Sequence, residues 1–155
     1  MPGFENVTYC GLYCKLCSIK SRTPSQAKAL FEDMQKNGWE SYGEFVLENF
    51  KPFWEALGTL AHFDETCPDC RGGCGDPDCA IRKCAVERSI DICPFCEEYP
   101  CSKFDGLASV YPNLIPDGER MKEVGVEQWI AEQEQRCKAG FCYCDISYPR
   151  KNESE

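Results

Sequence analysis

The longest stretch of regular hydrophobic spacing lies between residues 23 and 63, which contain no cysteine. Its first part has the sequence signals of a helix start. Thr23 is a good N-cap, Pro24 suits the first helical position, and Gln26 completes a capping box. Gly38 is placed to end the helix, because glycine readily adopts the left-handed conformation that closes helices. We therefore predict a first helix from Thr23 to Gly38.

A second helix is predicted directly afterwards. Ser41 with Glu44 repeats the capping-box pattern. Pro52 lies inside the apolar run that follows and predicts a kink or a break, because proline lacks the amide hydrogen and clashes with the preceding turn. The apolar residues that recur there at helical spacing are Phe45, Val46, Phe50, Phe53, Trp54, Leu57, Leu60 and Ala61.

Further helices are predicted beyond this block. A short one runs from Pro77 to about Ser89, inside a segment that is otherwise rich in glycine and proline and reads as turns. A C-terminal helix should extend to about Cys137, with Gly125 weakening its middle. Its apolar positions are Met121, Val124, Val126, Trp129 and Ile130.

The chain contains fourteen cysteines, and this number makes it a candidate metal-binding protein. Within residues 67–101, two pairs have the C-x-x-C spacing, which lets two sulfurs turn toward one point and leaves two corners of a tetrahedron for a distant pair. The eight cysteines of the central cluster, residues 67–101, are Cys67, Cys70, Cys74, Cys79, Cys84, Cys93, Cys96 and Cys101.

The central cluster divides by order along the chain into two groups of four. The first group would close around one metal ion through a glycine-rich turn, and the second around another. The first consists of Cys67, Cys70, Cys74 and Cys79, and the second of Cys84, Cys93, Cys96 and Cys101.

Two further trios lie at the chain ends. Cys10, Cys14 and Cys17 have the spacing C-x3-C-x2-C, which suits a structural site with one distant ligand. The same spacing is compatible with a 4Fe–4S cluster. It also occurs in radical S-adenosylmethionine enzymes, but a short helical block follows here instead of the βα barrel that those enzymes need. The C-terminal trio is Cys137, Cys142 and Cys144.

One member of the C-terminal trio, Cys144 or Cys142, is predicted to complete the N-terminal site, and Cys144 is the favoured ligand. The alternative is that these thiols bind no metal.

His62 is the only histidine. It could supply a nitrogen ligand, although a lone histidine near a helix end is more often a capping or packing residue.

The composition excludes several classes of function. A chain that is 43% hydrophobic and 12% aromatic can bury a core, unlike a metallothionein. The net charge of −9 makes a phosphate backbone a poor partner, so no nucleic-acid binding is expected. No stretch approaches the roughly 18 apolar residues of a membrane span, so no membrane association is expected either.

The expected compartment is the cytoplasm. Residues 1–10 lack the basic start and apolar run of a secretory signal. Thiols stay reduced in the cytoplasm, and metal binding is then the usual reason for many cysteines. Disulfides are the alternative in an oxidising compartment, and unliganded or catalytic thiols are a third possibility.

Zinc is favoured over iron–sulfur in the central cluster. The sequences Cys67-Pro68-Asp69-Cys70 and Cys93-Pro94-Phe95-Cys96 resemble zinc knuckles, and the C-x2-C-x2-C run of ferredoxins does not occur there. We expect two to three zinc ions per chain. A 4Fe–4S cluster at Cys10, Cys14 and Cys17 is the alternative cofactor.

The motifs resemble a cysteine-rich bacterial and archaeal family known as domain of unknown function 3795. Residues 9–17 resemble the family's opening, residues 79–85 its middle, and residues 93–101 its Cys-x-x-Cys-x-Glu-Tyr-Pro-Cys element. Residues 120–129 resemble a segment of longer members. The resemblance implies metal binding and carries no established activity. Members often have a further C-x-x-C pair, where this chain has Asp76 at the first position and Cys74 close by.

The sequence thus predicts a mainly α fold with irregular, metal-stabilised cysteine-rich loops, and small zinc-knuckle-like elements packed against helices. We expect a single domain over residues 1–148, with a helical block at 23–63, the cysteine cluster at 67–101, a C-terminal helix and trio at 117–144, and a flexible tail at 149–155.

Three functions are compatible with this pattern. The favoured one is a zinc-stabilised module that acts through protein partners and has no catalysis of its own. The second is an iron–sulfur protein that transfers electrons. The third is an enzyme with a catalytic metal held by three protein ligands, for which the chain offers no evident general base. The oligomeric state is left open.

Overall fold

The computed structural model describes residues 1–147 and is mainly helical. Helix accounts for 63% of the residues, and the part of the chain described contains one isolated β-bridge, between Val7 and Tyr13, in place of any strand. The predicted mainly α class is confirmed. The predicted tail at 149–155 lies outside the described residues. No helix within 1–147 is long and apolar enough to cross a bilayer.

The chain forms two compact units. We call Ser18–Cys67 the helical unit, and Met1–Cys17 together with Pro68–Glu155 the cysteine unit. The predicted helical block at 23–63 falls within the first. The assignment of residues 1–148 to a single domain stays a prediction.

The helical unit contains four helices, and their starts differ from the predicted caps. α1 begins before Thr23, so this residue lies inside the first turn, where its hydroxyl oxygen is 3.0 Å from the Ser18 hydroxyl oxygen. Ser41 also lies inside its helix and does not cap it. α2 already begins at Trp39, because Gly38, with φ 75°, ends α1 and is itself the N-cap of α2. The helices are α1 (Arg22–Lys36), α2 (Trp39–Val46), α3 (Phe50–Ala61) and α4 (Phe63–Thr66).

The predicted break in the second apolar run occurs just before Pro52. α2 ends at Val46, Leu47 is extended, and Asn49 has a positive φ of 61°. Pro52 then occupies the first turn of α3, where a missing amide hydrogen leaves no helical hydrogen bond unmade.

Aromatic packing holds the helical unit together. The ring of Trp54 on α3 stacks on Phe31 of α1 at 4.4 Å between centroids, and on Phe50 at 5.6 Å. Gly43 of α2 lies directly against the Phe50 ring, because a Cβ there would come within 2.5 Å of a ring carbon. Any larger residue at this position would force α2 and α3 apart.

The apolar face of α2 is only partly used in this packing. Phe45 is 90% exposed and Val46 is 61% exposed, although both fit the helical spacing of the sequence. α2 ends at Val46, and Leu47 directly after it is extended.

Over residues 1–17 and 68–147, the cysteine unit combines four α-helices with short turns. α5 is shorter than predicted, because the residues before Cys79 form turns and Cys79 itself is the N-cap. Gly125, with φ 81° and ψ 161°, separates what the sequence predicted as one C-terminal helix into two. The helices are α5 (Ala80–Glu87), α6 (Asp105–Val110), α7 (Leu114–Val124) and α8 (Val126–Lys138).

Two hydrophobic clusters fill the cysteine unit. One surrounds Trp129 and Met121 and includes Tyr13 and Tyr143 from the two ends of the chain. The other is made by Ile81, Ala85, Phe104, Leu114, Cys10 and Cys93. Two cysteine side chains thus belong to the buried core itself.

Candidate metal centre

The second predicted group of four cysteines lines a single pocket. The sulfurs come from three local elements, and the rest of the lining combines apolar side chains such as Ile81 and Phe104 with charged ones such as Arg88. Cys93 is buried and the other three cysteines are partly buried, and reduced contact with water strengthens a bond between a thiolate and a cation. The four residues are Cys84 on α5, Cys93 and Cys96 at the two ends of one turn, and Cys101 before the next turn.

The turn that carries Cys93 and Cys96 is tightly defined. The residue before it, Ile92, is extended, and Cys93–Phe95 form one turn of 3-10 helix. The Cys96 amide donates to the Cys93 carbonyl oxygen at 2.8 Å, and the Cys93 amide donates to the Tyr9 carbonyl oxygen at 2.7 Å. Both cysteines are therefore fixed relative to the N-terminal segment.

A second turn with the same conformation carries Cys14 and Cys17. Tyr13 before it is extended, Cys14–Leu16 form a 3-10 turn, and the Cys17 amide donates to the Cys14 carbonyl oxygen at 3.0 Å. The last cysteines of the two turns have nearly the same dihedral angles, −74° and 132° for Cys17, −76° and 140° for Cys96. Sequence analysis did not group these two turns, although both have the C-x-x-C spacing.

The Cys67/Cys70 pair, which the sequence matched with Cys93/Cys96, has a different local structure. Asp69 has a positive φ of 61°, and its carbonyl oxygen accepts a hydrogen bond from the Cys74 amide at 2.8 Å. Cys67 belongs to the helical unit, whereas Cys70 and Cys74 belong to the cysteine unit. The similar spacing of the two pairs therefore hides two different backbone conformations.

The electrostatic surroundings of the pocket oppose uncompensated negative charge. Burial raises the pKa of the Cys93 thiol to about 12, and the nearby thiols of Cys10, Cys96, Cys84 and Cys101 add to the shift. Without a cation, the proton therefore stays on Cys93 at neutral pH. Several thiolates can coexist in this place only when a positive charge balances them.

Arg88 supplies a positive charge at the edge of the pocket. Its guanidinium donates to the Glu98 carboxylate at 2.9 Å and also to the Cys84 sulfur. The hydrogen bond and the charge of Arg88 hold the pKa of Glu98 below its usual value. Arg88 therefore contacts one of the four cysteines directly.

Of the three N-terminal cysteines, only Cys10 belongs to a hydrophobic cluster of the cysteine unit. Cys10 is buried in the cluster around Ile81, whereas the neighbours of Cys14, which are Tyr13 and Leu16, pack around Trp129. Cys14 and Cys17 remain joined by their common turn. Spacing alone could not reveal this division, because the tight turn that contains Gly11, with φ 93°, redirects the chain.

The C-terminal trio is also divided. Cys142 is buried and its sulfur lies 3.1 Å from the sulfur of the exposed Cys144, whereas Cys137 lies on α8. The link between the chain ends comes from a residue that sequence analysis did not single out: the Tyr143 hydroxyl accepts a hydrogen bond from the Tyr13 amide at 3.0 Å. Only its position between two cysteines could have drawn attention to it.

His62 ends α3, and its side chain is about half exposed. Its Nδ1 atom lies 3.7 Å from the Glu65 carboxylate, which would form an ion pair with the protonated ring.

The fit of a metal to these residues rests on the donor set. Four thiol sulfurs around one apolar pocket are the ligands that zinc accepts in closed tetrahedral sites. Within residues 1–147, no group of three or more Cys, His, Asp or Glu side chains already stands in an arrangement that could hold a metal ion. Rotation of the cysteine side chains between staggered positions would be needed to bring the sulfurs together.

None of the fourteen cysteines, all of which lie in the described part of the chain, forms a disulfide. The fold and the pocket together define a small, mainly helical, cysteine-rich protein. The chain belongs to the DUF3795 family of proteins of unknown function, whose family model matches residues 6–106. The resemblance of residues 120–129 to longer members lies beyond the matched range and stays a prediction. No curated protein and no solved structure matches the chain.

Proposed function

We propose that this protein binds zinc through closed sites of cysteine thiolates, and that it acts as a module for interaction with protein partners. The observation that carries the proposal is the pocket lined by Cys84, Cys93, Cys96 and Cys101. These four residues come from three separate segments of the chain, yet they line one place in the fold.

The chemistry of the pocket supports zinc. A site of four thiolates carries a net charge of −2 with a divalent ion, and the Arg88 guanidinium beside Cys84 offsets part of it. Binding would displace the thiol protons, including the one that the raised pKa keeps on Cys93, so affinity should fall in acid.

A structural role follows from the number of ligands. Four protein ligands leave no coordination position for water or substrate, so such a site stabilises a fold and does not catalyse a reaction. The contribution is large, since structural zinc sites bind with apparent free energies of about 10–16 kcal/mol in small zinc-binding peptides. A role through protein partners agrees with the exposed side chains of Phe45 and Val46 on the helical unit.

Metal analysis of the protein purified without oxygen tests the proposal. We expect two to three zinc ions per chain and no absorption in the visible range. Iron with matching sulfide and a visible band would instead favour the iron–sulfur alternative at Cys10, Cys14 and Cys17. A protein that takes up neither metal would overturn both.

The Cys96→Ser variant separates this pocket from other thiols. Serine keeps the size of the side chain but is a far poorer zinc ligand. The matched control is Cys137→Ser, which changes a half-buried cysteine of α8 that we place in no site. Loss of about one zinc ion is expected in the first variant, and the full wild-type content in the second.

A further inference from the structure

Cys10 is placed by its turn to face the central cysteines. The Thr8 amide donates to the Leu12 carbonyl oxygen at 2.9 Å, and the Leu12 amide donates to the Thr8 hydroxyl at 2.8 Å. The same hydroxyl lies 3.1 Å from the Cys10 sulfur. Cys10 is only 8% exposed and packs in the cluster that also contains Cys93, with Cys79 against it.

Arg71 fixes Cys70 close to this turn. Its guanidinium donates to the carbonyl oxygens of Val7 and Asp91, both at 2.7 Å. It also stacks over the rings of Phe4 and Tyr9 at 4.7 and 4.6 Å from their centroids. Because Arg71 follows Cys70 directly in the chain, these contacts hold the start of the glycine-rich loop beside the segment that carries Cys10.

Arg82 fixes the other end of the same loop. From α5 it donates to the carbonyl oxygens of Cys74 at 2.9 Å and Asp76 at 2.6 Å, with a longer contact to Cys70 at 3.4 Å. Cys79 caps the N-terminus of the same helix. The loop from Cys70 to Cys79 is thus tied to α5 at one side and to the N-terminal segment at the other.

The thiols of Cys70 and Cys79 lie close enough to Cys10 to disfavour its charged form. Burial is the main reason that the pKa of Cys10 rises to about 11, and the thiols of Cys70 and Cys79 raise it further. The guanidinium groups of Arg71 and Arg82 lie on the two sides of the loop and could offset the charge of a metal–thiolate centre.

We propose that Cys10, Cys70 and Cys79 bind one zinc ion, with Cys74 of the same loop as the fourth thiolate. Cys10 then takes the position that the order along the chain assigns to Cys67. The inference rests on the proposed zinc-binding function and adds a second site, distinct from the pocket of Cys84, Cys93, Cys96 and Cys101.

Variants of single cysteines test the assignment through the zinc content of the folded chain. Cys10→Ala and Cys79→Ser should each lower the content by about one ion, because a closed site needs its four ligands. Cys67→Ser should keep the wild-type content, which is the opposite of what the spacing predicts. Full zinc content in Cys10→Ala, combined with loss of one ion in Cys67→Ser, would overturn the assignment.

A measurement on the unaltered protein covers the case in which Cys10→Ala fails to fold. The zinc is exchanged for cadmium-113, and NMR correlations between each cadmium and the Cβ hydrogens of its ligands identify the bound cysteines directly. We expect one cadmium signal to correlate with Cys10, Cys70 and Cys79 together. A cadmium that correlates with Cys67, Cys70 and Cys79, and not with Cys10, would overturn this inference but leave zinc binding intact. A protein that binds neither zinc nor cadmium would overturn the proposed function as well.

Discussion

The helical unit and the cysteine unit use different material to fill their interiors. In the helical unit, stacked aromatic rings on α1 and α3 surround Trp54, and a glycine lets α2 approach them. In the cysteine unit, Cys10 and Cys93 themselves lie in the core beside Ile81 and Phe104. The first core is complete as an apolar cluster, whereas the second includes thiols whose burial is unfavourable for the charged form.

The difference between the two interiors shows that one chain can combine two sources of stability. Burial of apolar surface stabilises the helical unit without any ligand. In our account, the cysteine unit depends in addition on bound metal. The two units should therefore respond differently to metal removal and to core substitutions.

Loss of a pocket cysteine should give the largest effect. Cys96→Ser is expected to lose its zinc and to unfold much of the cysteine unit, because metal binding and folding are coupled. Hydrogen exchange followed by mass spectrometry should show fast exchange in α5 and in the turn Cys93–Phe95, with α1 and α3 still protected. A variant that keeps full zinc content and melts like the wild type would contradict the account of this pocket.

Truncation of the aromatic core should affect the other unit. Trp54→Ala removes the partly buried ring that stacks on Phe31 and Phe50, and we expect a loss of about 2–3 kcal/mol in the free energy of unfolding. Zinc content should stay unchanged. Denaturant unfolding together with metal analysis measures both quantities, and a loss of zinc in this variant would show that the units are not separable in this way.

A smaller effect is expected at the link between the chain ends. Tyr143→Phe removes the hydroxyl that accepts the Tyr13 amide, and it leaves a buried donor without its partner. The expected cost is about 1–3 kcal/mol in the free energy of unfolding. Phe141→Leu is a control for the neighbouring aromatic packing, since Phe141 meets the Tyr143 ring edge-on. Equal stability of Tyr143→Phe and wild type would show that the hydrogen bond contributes nothing.

The smallest effect concerns Glu134, which accepts hydrogen bonds from Lys15 and Tyr13. The Lys15 and Tyr13 contacts lower the pKa of Glu134 from its usual 4.5. The stabilisation is therefore present above about pH 4.5 and is lost as the pH falls through the lowered pKa. Because the side chains are partly exposed, Glu134→Gln should cost at most about 1 kcal/mol at neutral pH, and less in high salt.

Thermal melts of both proteins between pH 3 and pH 7 measure this difference. A gap between wild type and Glu134→Gln that widens toward low pH would contradict the assigned direction of the shift.

The sequence allowed the prediction of features that depend on local signals. The left-handed Gly38 after α1 and the break before Pro52 follow from the conformational preferences of these two residues. The second group of four cysteines could also be read from spacing, since Cys93 and Cys96 lie in one short turn.

Features that depend on contacts far apart in the chain could not be predicted in this way. The tight turn at Thr8–Leu12 directs Cys10 away from the core of its neighbours, and Arg71 brings Cys70 to the N-terminal segment. The Tyr143 hydroxyl reaches an amide 130 residues away. In each case a hydrogen bond between distant segments determines the arrangement, and the spacing of residues carries no signal for it.

The zinc content of the protein purified without oxygen, measured by mass spectrometry with an absorption spectrum beside it, tests the central claim most directly. Our account predicts two to three zinc ions per chain, no visible absorption band, and loss of about one of these ions in Cys96→Ser. A wild-type protein that folds fully and binds no zinc in the presence of excess zinc would contradict it.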